Sequence, residues 1–268
     1  PGSEVVVEET SHTYNYELGA MAAWSGAVPR VVRGERGKMT PDQVRGALSP
    51  DLYYMSPTSL VVLENTHNHA GGVVSTPAEC AAVLEVVRGR GLPAHLDGAR
   101  VFHAAIALGV PVAELTRGFD STMFCLSKGL GAPIGSLLCG SVDFVREARV
   151  VRKRMGGGLR QVGVIAAAGL VALERNVDRL ADDHARARRL ATRLAEHPGF
   201  SIEAGSVETN IVIADAVPLD SAPERIRQLA DRGVLAGPMG EGRVRFVTHL
   251  DIDDAALERA LEALDRLT

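Results

Sequence analysis

The sequence predicts an α/β protein: a mostly parallel sheet with helices on both faces, then a smaller C-terminal α+β layer. Three observations predict it. Short β-rich runs alternate with helical patterns from the start to about Arg160. Those runs are apolar and bounded by Gly and Pro, which suits strands covered on both faces. Beyond Arg160 the texture changes to two long helical stretches followed by short strands.

In chain order, the first region reads as strand Val5–Val7, helix Asn15–Ser25, strand Val28–Val32, helix Pro41–Leu48 and strand Leu60–Leu63. Helix Pro77–Arg90, strand Pro93–Asp97, helix Ala99–Leu108 and strands Ser121–Leu126 and Ser136–Cys139 complete it. Strands separated by helices of this length form crossover units. Gly129, Gly131 and Gly135 mark a turn after the strand that ends at Leu126. The long helices then cover Gln161–Leu173 and Val177–Glu196. The second carries Arg, Asp and Ala at helical spacing, a solvated face, and Pro198-Gly199 ends it. Strands Phe200–Glu203, Asn210–Ala214 and Val244–Val247 follow, with helices Ala222–Arg232 and Asp253–Leu267. A boundary near residue 175 gives a large domain, 1–175, and a small one, 176–268; no Ser/Gly linker or repeat separates them.

Composition narrows the function. The 268 residues are 46% apolar and 23% charged, so the chain is globular. A net charge of −4 gives no basic footprint for nucleic acid. No apolar run approaches the ~20 residues that cross a bilayer, and no signal peptide opens the chain. Cys80, Cys125 and Cys139 are scattered and odd in number, with no CxxC pair. That argues against zinc or a disulfide framework and for a reducing, cytoplasmic compartment. No ligand cluster has metal-binding spacing.

Two clusters carry chemistry. In His95-Leu96-Asp97-Gly98-Ala99-Arg100 an acid ends a strand and an arginine begins a helix. In an open parallel sheet, ligands sit at the carboxyl ends of strands. In Leu126-Ser127-Lys128-Gly129-Leu130-Gly131 a lysine stands where a buried strand gives way to a glycine-rich turn. Alone, each has a plainer reading: a capping Asp beside an exposed Arg, and a surface lysine on a loop. Together they point further. Lys128 follows Asp97 by 31 residues, one crossover unit, so both strand ends can face one crevice. An Asp for a pyridinium nitrogen and a Lys for a Schiff base are the two groups pyridoxal phosphate requires.

These strings, with His12-Thr13-Tyr14, Leu63-Glu64-Asn65-Thr66-His67-Asn68, Gly156-Gly157-Gly158-Leu159-Arg160-Gln161 and Val247-Thr248-His249-Leu250-Asp251, occur in one order over nearly the whole chain. The sequence resembles the low-specificity L-threonine aldolases, beta-eliminating lyases of the fold-type I pyridoxal-phosphate class. The resemblance implies a transferase-like fold with pyridoxal 5'-phosphate as cofactor. It implies Lys128 as the Schiff-base lysine, Asp97 as partner of the ring nitrogen and Arg100 as partner of the ring oxygen. His12 resembles the imidazole that stacks on the ring, and His67 a second active-site histidine near the substrate hydroxyl. Arg245 resembles the arginine that grips the substrate carboxylate, a task suited to a bidentate guanidinium. Arg160 resembles an arginine that reaches the cofactor phosphate of a neighbouring subunit; Lys153 in the same loop and Ser127 are further phosphate contacts.

The same residues have structural alternatives. His12 can cap a helix, His67 can be a satisfied loop histidine, Arg245 can sit on a strand surface, and Lys153 and Arg160 belong to a basic run, Arg149–Arg160. His69, His95, His103, His184 and His197 receive no role. The family begins with about 80 further residues bearing a phosphate loop at a helix N-terminus, an arrangement that binds anions through free amides. No such loop precedes His12. The implied reaction cleaves L-threonine or L-allo-threonine to glycine and an aldehyde, in a homodimer or homotetramer with shared sites, with either His12 or His67 as base. A hydroxymethyltransferase-like or other fold-type I lyase, or a non-catalytic fragment, is the competing expectation.

Overall fold

The computed structural model describes Pro1–Leu267. The chain runs β1 (Glu4–Glu8), α1 (His12–Asn15), α2 (Ala20–Ser25), β2 (Val28–Val32), α3 (Pro41–Ala47), β3 (Thr58–Glu64), α4 (Pro77–Gly89), β4 (Ala94–Asp97), α5 (Val101–Leu108), α6 (Val112–Thr116), β5 (Ser121–Cys125) and β6 (Ser136–Gly140). It continues through α7 (Val142–Arg154), α8 (Gly163–Arg175), α9 (Leu180–Glu196), β7 (Phe200–Ser201), β8 (Ile211–Ala216), α10 (Ala222–Ala230), β9 (Gly237–Pro238), β10 (Arg243–Val247) and α11 (Asp254–Asp265).

Six strands form one sheet in the order β2-β1-β3-β4-β5-β6. Every pairing is parallel except β5 with β6, which is antiparallel. The fold is therefore the predicted α/β class. All five residues of β1 are buried: Val5–Val7 as an apolar run, Glu4 against Arg30 and Ser49, and Glu8 against His67. Local chemistry fixes the helix starts. α3 and α4 each open with a capping box, Thr40 with Gln43 and Thr76 with Glu79, and with a proline in the first turn. Under this sheet Val6, Val44, Val61, Leu84 and Val87 form one core, and Leu96, Val101, Ala104 and Leu115 another.

The second sheet has the order β7-β8-β10-β9 and is antiparallel throughout. Leu190 and Leu194 of α9, Leu229 of α10 and Leu257 and Leu264 of α11 pack against Val212, Val244 and Phe246. Side chains alternate along β10: Val244 and Phe246 are buried, while Arg243, Arg245 and Val247 are half-buried. Arg245 thus stands on the face opposite the helical core.

Several elements depart from the expected ones, and β9 is a two-residue strand that was not expected. The helix expected over Asn15–Ser25 is two short helices, because Leu18 and Gly19 take left-handed backbone angles (φ 51° and 69°). α6 was not expected, being a five-residue piece without a full period. The basic run from Arg149 lies mostly in α7, capped by Ser141 at Phe144 N and ended at Met155–Gly156. Its thirteen residues are exposed or half-buried, although Phe144, Ala148 and Val151 recur at helical spacing.

Candidate active site

Four parallel strands end on one edge, and a candidate side chain follows each. His12 comes four residues after β1, His67 and Asn68 just after β3, Arg100 just after β4 and Lys128 three residues after β5. Register brings Glu64 level with Asp97 across the β3–β4 pair. Backbone hydrogen bonds lock the strand ends: Asn65 N donates to Asp97 O at 2.9 Å and Gly98 N to Met123 O at 2.9 Å.

Asp97 is buried. Its carboxylate accepts from Ala99 N at 3.2 Å and from Thr13 Oγ1 at 3.3 Å. Both contacts are long, so the carboxylate keeps acceptor capacity for a protonated ring nitrogen. Arg100 Nη1 donates to Asn68 Oδ1 at 3.2 Å. Arg245 Nη2 donates to the same oxygen at 2.9 Å, across 177 residues of chain. Two guanidiniums therefore share one neutral amide acceptor, and the buried Nε of Arg245 has no partner among the described residues. Burial, and then the neighbouring Arg245, pull the Arg100 pKa down to about 10. Burial lowers that of Arg245 as well. Two cations this close with unused donors suit an arriving carboxylate.

The two histidines have opposite surroundings. His67 is 1% exposed; Nε2 lies 3.1 Å from Glu8 Oε2 and 3.9 Å from Glu64 Oε2, and Nδ1 faces Ala70 N at 3.3 Å. Gly37 exists for this ring, since a Cβ there would lie 2.3 Å from it. Burial alone would lower the His67 pKa, but the hydrogen bond and charges from Glu8 and Glu64 raise it. Glu8 is likewise penalised by burial, yet bonds from His67 and Thr10 hold it down at about 2. His12 has a third of its side chain exposed. Its Nδ1 lies 3.0 Å from Glu17 Oε1, and its ring stacks on Tyr16 at 5.1 Å.

Lys128 is half-buried and Ser127 exposed, and neither side chain makes a hydrogen bond or ion pair among the described residues. Lys153 and Arg160 are exposed, at the end of α7 and in the turn beyond. The structure thus brings His12, His67, Asp97, Arg100 and the Lys128 turn to one edge of the parallel sheet, where Arg245 joins them through Asn68. It puts Lys153 and Arg160 on the outer surface.

Sequence reading gave no role to Glu64 or Asn68. Glu64 is buried and accepts from His12 N at 2.6 Å and Asn68 N at 2.8 Å, so one carboxylate ties both loops. Burial, and then Asp97 nearby, raise its pKa. Asn68 sits beside His67 in the same string. The signal was an i to i+4 polar spacing that reads equally well as a turn.

A crevice at strand ends, holding a buried acid, a lysine on a glycine turn and two converging arginines, fits pyridoxal phosphate and an amino-acid carboxylate. Fold and site together define a pyridoxal-phosphate enzyme of fold type I. The profile of the beta-eliminating lyase family matches residues 1–217. The chain is 38% identical to low-specificity L-threonine aldolase 1 of Arabidopsis thaliana, over 99% of this chain and 75% of that one. It is 38% identical to the low specificity L-threonine aldolase of Escherichia coli (strain K12), over 94% of this chain and 73% of that one. The threonine aldolase structure from Leishmania major superposes with a TM-score of 0.79 at 19% identity, covering 99% of this chain and 78% of that one. Aspartate aminotransferase from Thermus thermophilus superposes with 0.69 at 17% identity, covering 99% and 70%. The chain belongs to the beta-eliminating lyase family and spans about three quarters of the length of these relatives.

Proposed function

We propose that this protein is an L-threonine aldolase, cleaving L-threonine, L-allo-threonine and related β-hydroxy amino acids to glycine and an aldehyde. The observation that carries the reading is the convergence of Arg100 and Arg245 on Asn68 Oδ1 beside buried Asp97. The curated relatives supply the reaction type.

Bound pyridoxal phosphate supplies an electron sink for the pair released when Cα–Cβ breaks. Asp97 would hold the positive charge at the ring nitrogen, and Arg100 would bond the ring oxygen. Lys128 is the amine that anchors the cofactor. Arg245, with Nε free of partners, takes the substrate carboxylate and fixes the amino acid's orientation. The base we assign is His12. Its Nδ1 faces the Glu17 carboxylate at 3.0 Å, so a neutral His12 ring would act through the lone pair of Nε2. That lone pair takes the β-hydroxyl proton. Both His67 nitrogens already face partners, so His67 supports the floor of the crevice through Glu8 and Glu64. A base of this kind is worth about 10² to 10⁴ in rate.

We further propose a homodimer or homotetramer in which Lys153 and Arg160 reach a neighbouring subunit's phosphate site, with Ser127 contacting the phosphate in its own. Lys153 and Arg160 are both exposed and neither makes an ion pair among the described residues, which supports this. We place the protein in the cytoplasm, supported by three free thiols. The test of the reaction is to supply cofactor with L-threonine, L-allo-threonine and phenylserine, without folate, and to measure glycine and aldehyde together. 2-Oxobutyrate and ammonia released from threonine instead would reassign it as a β-eliminating enzyme. Mixing inactive Lys128→Ala and Arg160→Ala proteins tests the shared site; mixed oligomers with no recovered activity would refute it.

A further inference from the structure

Two histidines without a role in the reaction meet beneath the lysine turn. His103, on α5, is 1% exposed, and its Nδ1 lies 2.9 Å from Nε2 of buried His184 on α9. The rings stack at 5.1 Å with planes 30° apart. Burial comes first, and then cationic or imidazole neighbours, in pushing both pKa values down, His103 to about 2 and His184 to about 4. Both rings are therefore neutral, and a single proton joins the two nitrogens.

The other nitrogen of His103, Nε2, is buried and has no hydrogen-bond partner. It is aimed at Gly129, the residue after Lys128. A Cβ on Gly129 would lie 2.1 Å from that nitrogen and 2.9 Å from Leu180 of α9. The backbone of Gly129 is not in the left-handed region, so the glycine is there for space. The turn itself is held by Gly131 N on Lys128 O at 2.9 Å and by Asn176 Nδ2 on Leu130 O at 2.8 Å. Leu126, Leu130 and Leu180 close the packing around it. A buried polar atom kept unpaired against a turn lacking a side chain is a cost that simple filling by Leu or Phe would avoid.

We infer that His103 and His184 are positioning residues for Lys128. The imidazole pair forms a rigid shelf. It fixes the height of the Lys128 turn against α5, which also starts just after Arg100, and against α9, which belongs to the second sheet. The lysine, the Arg100 end of the crevice and the C-terminal layer are thereby held in one geometry. The inference rests on Lys128 being the cofactor lysine, but the contact itself can be tested without cofactor.

The experiment compares wild type, His103→Ala and His103→Gln by hydrogen exchange of the cofactor-free protein. In His103→Ala, amides 126–132 exchange at least about tenfold faster while those of β8 and β10 are unchanged; Gln, which reaches His184 with an amide, returns them to within about threefold. In the cofactor-loaded protein, the pH midpoint of the lysine–cofactor absorbance band moves by about half a unit in Ala and returns in Gln. Faster exchange spread evenly over the chain, unchanged exchange at 126–132, or a local change with no movement of the midpoint each overturns the proposal. If His103→Ala does not fold, Gly129→Ala, which drives a methyl into Nε2, is measured in the same way with the same deciding outcomes. A wild-type protein that forms no band refutes the aldolase reading, while the exchange arm still decides whether the shelf exists.

Discussion

The floor of the crevice and its rim are built from the same residue types and treated oppositely. On the floor, Glu8, Glu64 and His67 are buried, and each carboxylate or ring nitrogen faces a donor or acceptor of the fold. On the rim, among the described residues, Lys128 has no side-chain partner, Arg245 keeps a free Nε, and His12 has Nε2 unengaged. Hydrogen-bond capacity already used inside the fold stabilises; capacity left over is what a ligand can take. Substitutions on the rim should therefore remove activity and leave stability, and substitutions on the floor should do the reverse.

The largest expected effect is at Lys128. Lys128→Ala removes the lysine–cofactor absorbance and all measurable turnover. The thermal midpoint of the cofactor-free protein stays within about 2 °C, because a surface-type substitution costs little. Residual turnover near wild type would take the lysine off the rim altogether. Next comes the histidine pair. His12→Asn lowers kcat by about 10² to 10⁴ with stability kept, while His67→Asn costs about 2 to 4 kcal/mol by taking the imidazole away from buried Glu8 and Glu64. Steady-state kinetics beside thermal melts read both, and the reverse assignment of the two losses breaks the comparison.

Much of this layout was legible in the sequence, for identifiable reasons. Asp97-Gly98-Ala99-Arg100 and the Lys128 turn are contiguous strings at strand ends, so their placement on one edge follows from alternating strands and helices alone. The Asn68 bridge could not be read. It needs Arg245, 177 residues away, to be turned toward the crevice by the register of β10 on β8. Glu64 was hidden in the same way, since its targets are backbone amides that no side-chain pattern announces. The break at Leu18–Gly19 also escaped, because a leucine with positive φ carries no compositional signal.

A smaller effect sharpens the rim side. Arg245→Lys keeps the charge but loses the forked donors, so KM for the amino acid rises about tenfold to a hundredfold with kcat changed far less. Equal losses in kcat and kcat/KM would mean that Arg245 acts on the reacting atoms and not on the carboxylate.

The smallest effect is on the floor and depends on pH. Glu8 ionises at about 2 in the fold, because bonds from His67 and Thr10 outweigh the penalty of burial. The stability its charge contributes is complete above the ordinary glutamate value near ~4.3 and is lost as pH falls toward 2. His67 is shifted the other way, upward, by Glu8 and Glu64 against burial. Its contribution is complete below the ordinary imidazole value near ~6.5 and is lost as pH rises through the higher folded value. The pair therefore stabilises most between about pH 4.5 and 6.5. Glu8→Gln keeps the shape and removes the charge, and in that window it should cost roughly 2 kcal/mol, or some 4 to 8 °C in melting temperature for a chain of this size. The gap between wild type and Glu8→Gln should narrow toward pH 2 and again above neutrality. A gap that stays constant from pH 4 to pH 9 would show that Glu8 serves by shape and neutral hydrogen bonding, and that the floor holds no ion pair.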